Sequence, residues 1–97
     1  MLSMERIEKI KSEILPVLRK YNVKRASLFG SIARGEETEK SDIDVLVEFE
    51  GRKSLLDLAE LKIELEEKLK RKVDVLTYKS IHPLLRERIL NEKVDIL

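Results

Sequence analysis

Leu28-Phe29-Gly30-Ser31-Ile32-Ala33-Arg34-Gly35, followed after a charged loop by Ser41-Asp42-Ile43-Asp44-Val45-Leu46-Val47, is the stretch whose reading decides the fold. It reads as an apolar strand ending in a Gly-Ser turn, a short helical turn, a polar loop and a second strand. The second strand opens with two aspartates. In extended chain, alternate side chains share a face, so Asp42 and Asp44 point the same way with Cα atoms about 6.6 Å apart. Aspartate is depleted in strands, and like charges on one face repel. A cation between them removes that cost.

The chain has no cysteine and one histidine, which leaves soft or tetrahedral ligation almost nothing to work with. Carboxylate oxygens suit a hard divalent ion, and Mg²⁺ is commonly held by one or two carboxylates together with substrate phosphates. The phosphate side is present too. A Gly-Ser turn leading into a helical turn presents free N–H groups and the positive end of a dipole. Ser31 adds a hydroxyl, and Gly30 lets a phosphate approach the backbone closely. A phosphate cradle beside a metal-binding carboxylate pair suggests nucleotide chemistry. The plainer alternative is an acidic strand start after an ordinary turn.

Gly30-Ser31, then ten residues, then Asp42-Ile43-Asp44 resembles the signature of the polymerase-beta-like nucleotidyltransferases. Within that superfamily the chain is most similar to the minimal nucleotidyltransferases, the antitoxin partners of HEPN proteins. The similarity covers nearly the whole chain. It implies that Asp42 and Asp44 are catalytic metal ligands, with Asp74 as the third carboxylate. It implies nucleotide-phosphate contacts from Gly30 and Ser31, with Arg34 in the same pocket. The implied reaction is adenylyl transfer from ATP to a hydroxyl with two Mg²⁺ ions, and the implied partner is a HEPN-type helical toxin bearing an acceptor tyrosine. A module that neutralises its partner by covering it, without catalysis, is the alternative.

Composition narrows the classes further. Ninety-seven residues make one domain, 1–97, too short to include a separate substrate-recognition domain. A net charge of +1, from 20 basic and 19 acidic residues, is no electrostatic footprint for non-specific nucleic-acid binding. There is no apolar run of membrane-spanning length and no signal-peptide pattern, so a cytoplasmic location is expected. Absence of cysteine excludes disulfides and thiol catalysis. Most glutamates lie in helix-like segments, whereas Asp42, Asp44 and Asp74 fall in strand-like ones. A shorter, stiffer carboxylate in an unfavourable setting suggests placement for a site.

Elsewhere the pattern is structural. Ile7, Ile10, Ile14, Val17, Leu18 and Tyr21 predict a helix over 3–21, with a kink or break near Pro16 and Asn22 as its cap. Residues 24–29 predict a strand, Ser31 a cap on one helical turn, and Glu36 to Lys40 a solvated loop. Asp42 to Glu50 alternate as a strand whose Ile43, Val45, Val47 and Phe49 face a core. Ser54 and Asp57 predict a capping box opening a helix with a buried stripe of Leu55, Leu58, Leu61, Leu65 and Leu69. Lys70-Arg71-Lys72 reads first as cations at a helix C-terminus, with an auxiliary contact to nucleotide or partner as the alternative. Val73 to Leu76 predict a third strand, whose Asp74 either faces solvent or joins the other acids. His82-Pro83 opens a last helix to about Glu92, with Leu84, Leu85, Ile89 and Leu90 as its apolar side and His82 structural. Val94 to Leu97 add a short strand or an apolar tail. The expected architecture is α/β (α+β), a small mixed sheet with helices packed on one face and acids on the other.

Overall fold

The periodic apolar stripe near the N-terminus forms α1, Leu2–Lys20, and the elements that follow keep the expected order. They are β1 (Val23–Phe29), β2 (Ile43–Phe49), α2 (Leu55–Leu69), β3 (Val73–Thr77), a 3-10 turn (Tyr78–Ser80), α3 (Pro83–Glu92) and β4 (Val94–Asp95). The computed structural model describes residues 2–36, 38, 42–52 and 54–97. Ser41 and most of the Glu36–Lys40 loop therefore lie outside the described residues.

The four strands make one mixed sheet in the order β3-β2-β1-β4. β2 runs antiparallel to β1 and parallel to β3, and β4 pairs antiparallel with β1 at the other edge. Because β2 and β3 are parallel, their connection must cross over, and α2 is that crossover. It is started as expected: Ser54 accepts from the Asp57 N–H and Asp57 accepts from the Ser54 N–H, a complete capping box. At the far end Lys70 is left-handed (φ +57) and its N–H closes on Glu66 C=O.

The main core lies between α1, α2 and one sheet face. Ile7, Ile14 and Leu18 meet Leu61 and Leu65 over Leu28, Val45 and Val73, all buried. At about 25 cal/mol per Å² this apolar burial dominates the stability of so small a domain. The second face is not left bare. α3 and the 3-10 turn cover part of it, where Tyr78, Ile81 and Ile89 pack on Leu46 beside Phe29 and Leu76. Ser27, fully buried in this layer, is satisfied by Tyr78 Oη at 2.7 Å and Asp95 Oδ1 at 2.6 Å.

Three local expectations are corrected. α1 runs unbroken through Pro16, which is exposed, so the missing N–H opens no gap in the buried stripe. The segment after Gly30 is a hydrogen-bonded turn rather than a helix: Arg34 N–H reaches Gly30 C=O, and Glu36 N–H reaches Ser31 C=O at 2.9 Å. Its shape is held by Ile32, which plugs the main core at 1% exposure. Leu55, Leu84 and Leu85, expected on buried stripes, are exposed (84, 87 and 47%), each in the first turn of its helix. His82 is structural, as read: its Nδ1 accepts from the Leu84 N–H at 3.1 Å.

Candidate active site

Sheet register decides where the acids go. Asp44, on β2, stands opposite Phe29 on one side and Asp74 on the other. Both aspartates alternate with core-facing valines or isoleucine, so they share the face opposite α1 and α2. Asp42 sits one residue before β2 and is half-buried. Asp74, on the edge strand, is exposed, whereas Asp44 on the interior strand is half-buried. The sequence left Asp74 between solvent and site; parallel pairing sets it beside Asp44.

Gly30 closes the wall behind them. Its φ is +74°, and a Cβ there would lie 2.1 Å from Asp44 Oδ2. Glycine is required twice over at this position, for the left-handed backbone and for the space that the carboxylate fills. The turn that follows brings Ser31 half-buried beside this wall, and among the described residues its Oγ has no protein partner. Arg34 bends back toward the acids: its positive charge stabilises ionised Asp44, while its Nε meets Glu36 at 2.9 Å and its Nη1 meets Glu92 at 3.1 Å. Those two partners were not anticipated. Glu36 lies two residues from Arg34, but Glu92 comes from α3, and nothing local in the sequence signals that contact.

The electrostatics of the cluster are those of an acid group short of positive charge. Asp44 is pushed up to about 6, chiefly by burial, then by the charges of Asp74 and Asp42 and a carboxyl–carboxylate hydrogen bond with Asp74; Arg34 only partly offsets this. All the donors are hard oxygens, so a hard divalent cation fits this deficit. Among the described residues no three acids, histidines or cysteines converge to enclose an ion by themselves. Completion by substrate phosphate oxygens and water is how Mg²⁺ is ordinarily bound.

This shift has a consequence for the metal-free protein. An acid whose folded pKa lies above its unfolded value binds more protons folded than unfolded between the two, so stability falls as pH rises through that window. For Asp44 the window runs from 3.8 to about 6. After discounting for solvent screening at a half-exposed group, about 1 kcal/mol is expected to be lost, or about 4–8 °C in Tm. Thermal melts of wild type and Asp44→Asn without divalent ions, at pH 5 and pH 7.5, measure it. The variant's advantage should grow from the lower to the higher pH, and a constant difference would count against the shift.

Residues 7–96 match the family model described as the nucleotidyltransferase domain. A Methanocaldococcus jannaschii protein described as a protein adenylyltransferase is 66% identical over 91 residues, covering 94% of this chain and 98% of its own length. The protein adenylyltransferase MntA of Thermococcus cleftensis is 39% identical over 97 residues, covering 99% and 98%. A solved structure described as a minimal nucleotidyltransferase superposes with a TM-score of 0.79 at 39% identity, covering 93% of this chain and 92% of that one. A tyrosine-to-alanine variant of a toxin–antitoxin complex containing an MntA protein superposes at 0.73 with 25% identity, covering 88% and 69%. No helix among the described residues is long and apolar enough to cross a membrane.

Proposed function

Because the chain belongs to the nucleotidyltransferase domain family and is a nucleotidyltransferase, we propose that it performs Mg²⁺-dependent adenylyl transfer from ATP to a protein hydroxyl. The acceptor is a tyrosine of a HEPN-type helical toxin, and the chain acts as that toxin's antitoxin. The observation that carries the reading is the pairing of Asp44 with Asp74 directly behind the Gly30 turn. Support for a protein acceptor comes from the relatives described as protein adenylyltransferases and from the similarity to an MntA toxin–antitoxin structure.

Each residue then has a task. The Gly30–Gly35 turn and Ser31 Oγ bind the β- and γ-phosphates, and Arg34, oriented by Glu36 and Glu92, adds positive charge to the same pocket. Asp42, Asp44 and Asp74 hold Mg²⁺, which when bound neutralises the phosphates and polarises the reacting oxygens. The acceptor hydroxyl attacks the α-phosphorus; a new P–O bond forms as the bond to the pyrophosphate oxygen breaks. Asp74, exposed at the sheet edge, is the carboxylate within an acceptor's reach and takes the hydroxyl proton. The exposure of Asp74 on that edge strand leaves its carboxylate open to a macromolecular substrate.

The direct test is incubation with labelled ATP, Mg²⁺ and a HEPN-type partner, followed by intact-mass and peptide mass spectrometry. An added adenylyl group on a partner tyrosine is expected. A complex that forms with no covalent label would instead make the chain a binding antitoxin.

Nucleotide binding can be measured separately. MgATP at about a hundredfold over Kd should raise Tm by roughly 10–20 °C, because the ligand binds only the folded site. Ser31→Ala should weaken nucleotide affinity about tenfold by removing one hydrogen bond to a charged oxygen, without altering the fold. Equal nucleotide affinity in the two proteins would remove Ser31 from the pocket.

A further inference from the structure

Among the described residues no strand lies beyond β3, so the sheet ends on the strand that carries Asp74. Which backbone groups that edge presents follows from its parallel pairing with β2. The Ile43 N–H donates to the Lys72 carbonyl at 3.0 Å, and Asp44 stands opposite Asp74 in the same register. Lys72, Asp74 and Leu76 therefore turn their N–H and C=O groups toward β2, and Val73, Val75 and Thr77 turn theirs outward. The first outward donor is already used: the Val73 N–H donates to Glu66 Oε2, from α2, at 2.9 Å. Val75 is the next. Half-buried and one residue from exposed Asp74, it holds out an N–H and a C=O with no partner among the described residues. An open edge is a template for another backbone, and proteins blunt such edges where no partner is meant to pair. Here the blunting stops at Val73, short of the acid.

We propose that an extended segment of the protein acceptor adds to the outer edge of β3, pairing through the Val75 N–H and C=O and so bringing its hydroxyl to Asp74. The inference rests on the protein-acceptor reading above and adds the surface by which the acceptor is held. A donor and an acceptor presented side by side are matched by polypeptide backbone, which carries both. Phosphate oxygens accept but do not donate, so a nucleic-acid backbone meets this edge less well.

The register fixes which acceptor residue is delivered. In antiparallel addition the residue opposite Val75 exchanges both hydrogen bonds with it. The neighbouring residue then stands opposite Asp74 as a non-hydrogen-bonded pair, with Cα atoms about 4.5 Å apart and side chains at their closest. Its side chain emerges on the face that carries Asp44 and Asp74, whereas those on either side of it turn to the other face. A second copy of this chain fits the edge poorly. Antiparallel pairing of two β3 strands about Val75 sets the exposed Asp74 of each copy at diagonal positions on one face, where like charges repel.

The test combines amide-resolved hydrogen exchange with transfer kinetics, using a co-expressed HEPN-type partner as the probe. In the free chain the Val75 amide should exchange at least about tenfold faster than the Asp74 and Leu76 amides, which lie in the ladder with β2. Complex formation should slow it by about tenfold or more. Val75→Pro deletes the outward donor without touching that ladder, a change that edge strands tolerate. It should raise the KM for the partner about tenfold with kcat little changed. Val75→Ala keeps the N–H and should leave KM within about twofold of wild type. An unchanged MgATP thermal shift in Val75→Pro would show an intact fold and nucleotide site; if that shift is lost, wild-type exchange decides alone. A Val75 amide left unprotected in the complex would overturn the proposal, as would a folded Val75→Pro protein with wild-type KM. So would protection that appears in the chain alone and rises with its concentration, since the occupant would then be a second copy. Exchange does not depend on catalysis. A protected Val75 amide in a complex that carries no label would defeat the transfer reading and leave strand addition standing.

Discussion

Replacing Asp44 by asparagine is expected to lower adenylyl transfer by at least ~10³-fold, a loss of about 4 kcal/mol of transition-state stabilisation. Asparagine has nearly the same shape but one neutral oxygen in place of the carboxylate. It removes the acid at the centre of the cluster, between Phe29 and Asp74 on neighbouring strands. Asp42→Asn should have a comparable effect. Neither variant should unfold, because no core residue is changed and the burial and like-charge neighbours that raise Asp44 no longer act on a charged group there, or act on one charge fewer. Circular dichroism and melting without divalent ion should therefore show a folded Asp44→Asn protein, at least as stable as wild type. Its MgATP thermal shift should fall together with its activity. Near-normal transfer by either variant would require the metal site to be elsewhere.

Gly30→Ala should also cost about 10²-fold in transfer, for a different reason. The new methyl needs the volume occupied by Asp44 Oδ2, 2.1 Å away, and a left-handed φ that alanine adopts only with strain. Either the turn or the carboxylate must move. A displacement of about 1 Å at a reacting centre is enough for a loss of this order. Here stability should fall as well, by about 1–2 kcal/mol from the backbone strain, or roughly 4–16 °C in Tm. The two variants are thus distinguished by their melts: Asp44→Asn is inactive and stable, Gly30→Ala inactive and weakened. A folded Gly30→Ala protein with wild-type transfer would mean that the carboxylate wall is not part of the chemistry.

Much of the architecture was legible because it is written in local patterns. The stripe of Ile7, Ile10, Ile14 and Leu18 can only be a helix face, and all four are buried. Ser54 with Asp57 reads as a helix start because the reciprocal hydrogen bonds span three residues. Asn22, read as the cap of the first helix, adopts the positive φ that such a cap uses. The Asp42-Ile43-Asp44 spacing likewise implies two acids on one side of an extended chain, whatever that chain pairs with.

What escaped such reading depends on how far a partner surface extends. Periodicity gives the side of the helix on which Leu55 and Leu84 stand, but not that each is exposed. It marks Arg34 as a cation near a turn, but not that α3 returns to hold it through Glu92.

By itself, then, the sequence determined the order of the main helices and strands, a turn at Gly30-Ser31 and the paired acids at the start of the second strand, since each follows from interactions between residues close in the chain. Only the tertiary structure decided that Asp74 stands beside Asp44, that the turn is pinned by Ile32 in the core, and that Glu92 of α3 holds Arg34. Those depend on strand order and register, which are set by burying apolar faces from distant segments together, a free energy that no short stretch of sequence contains.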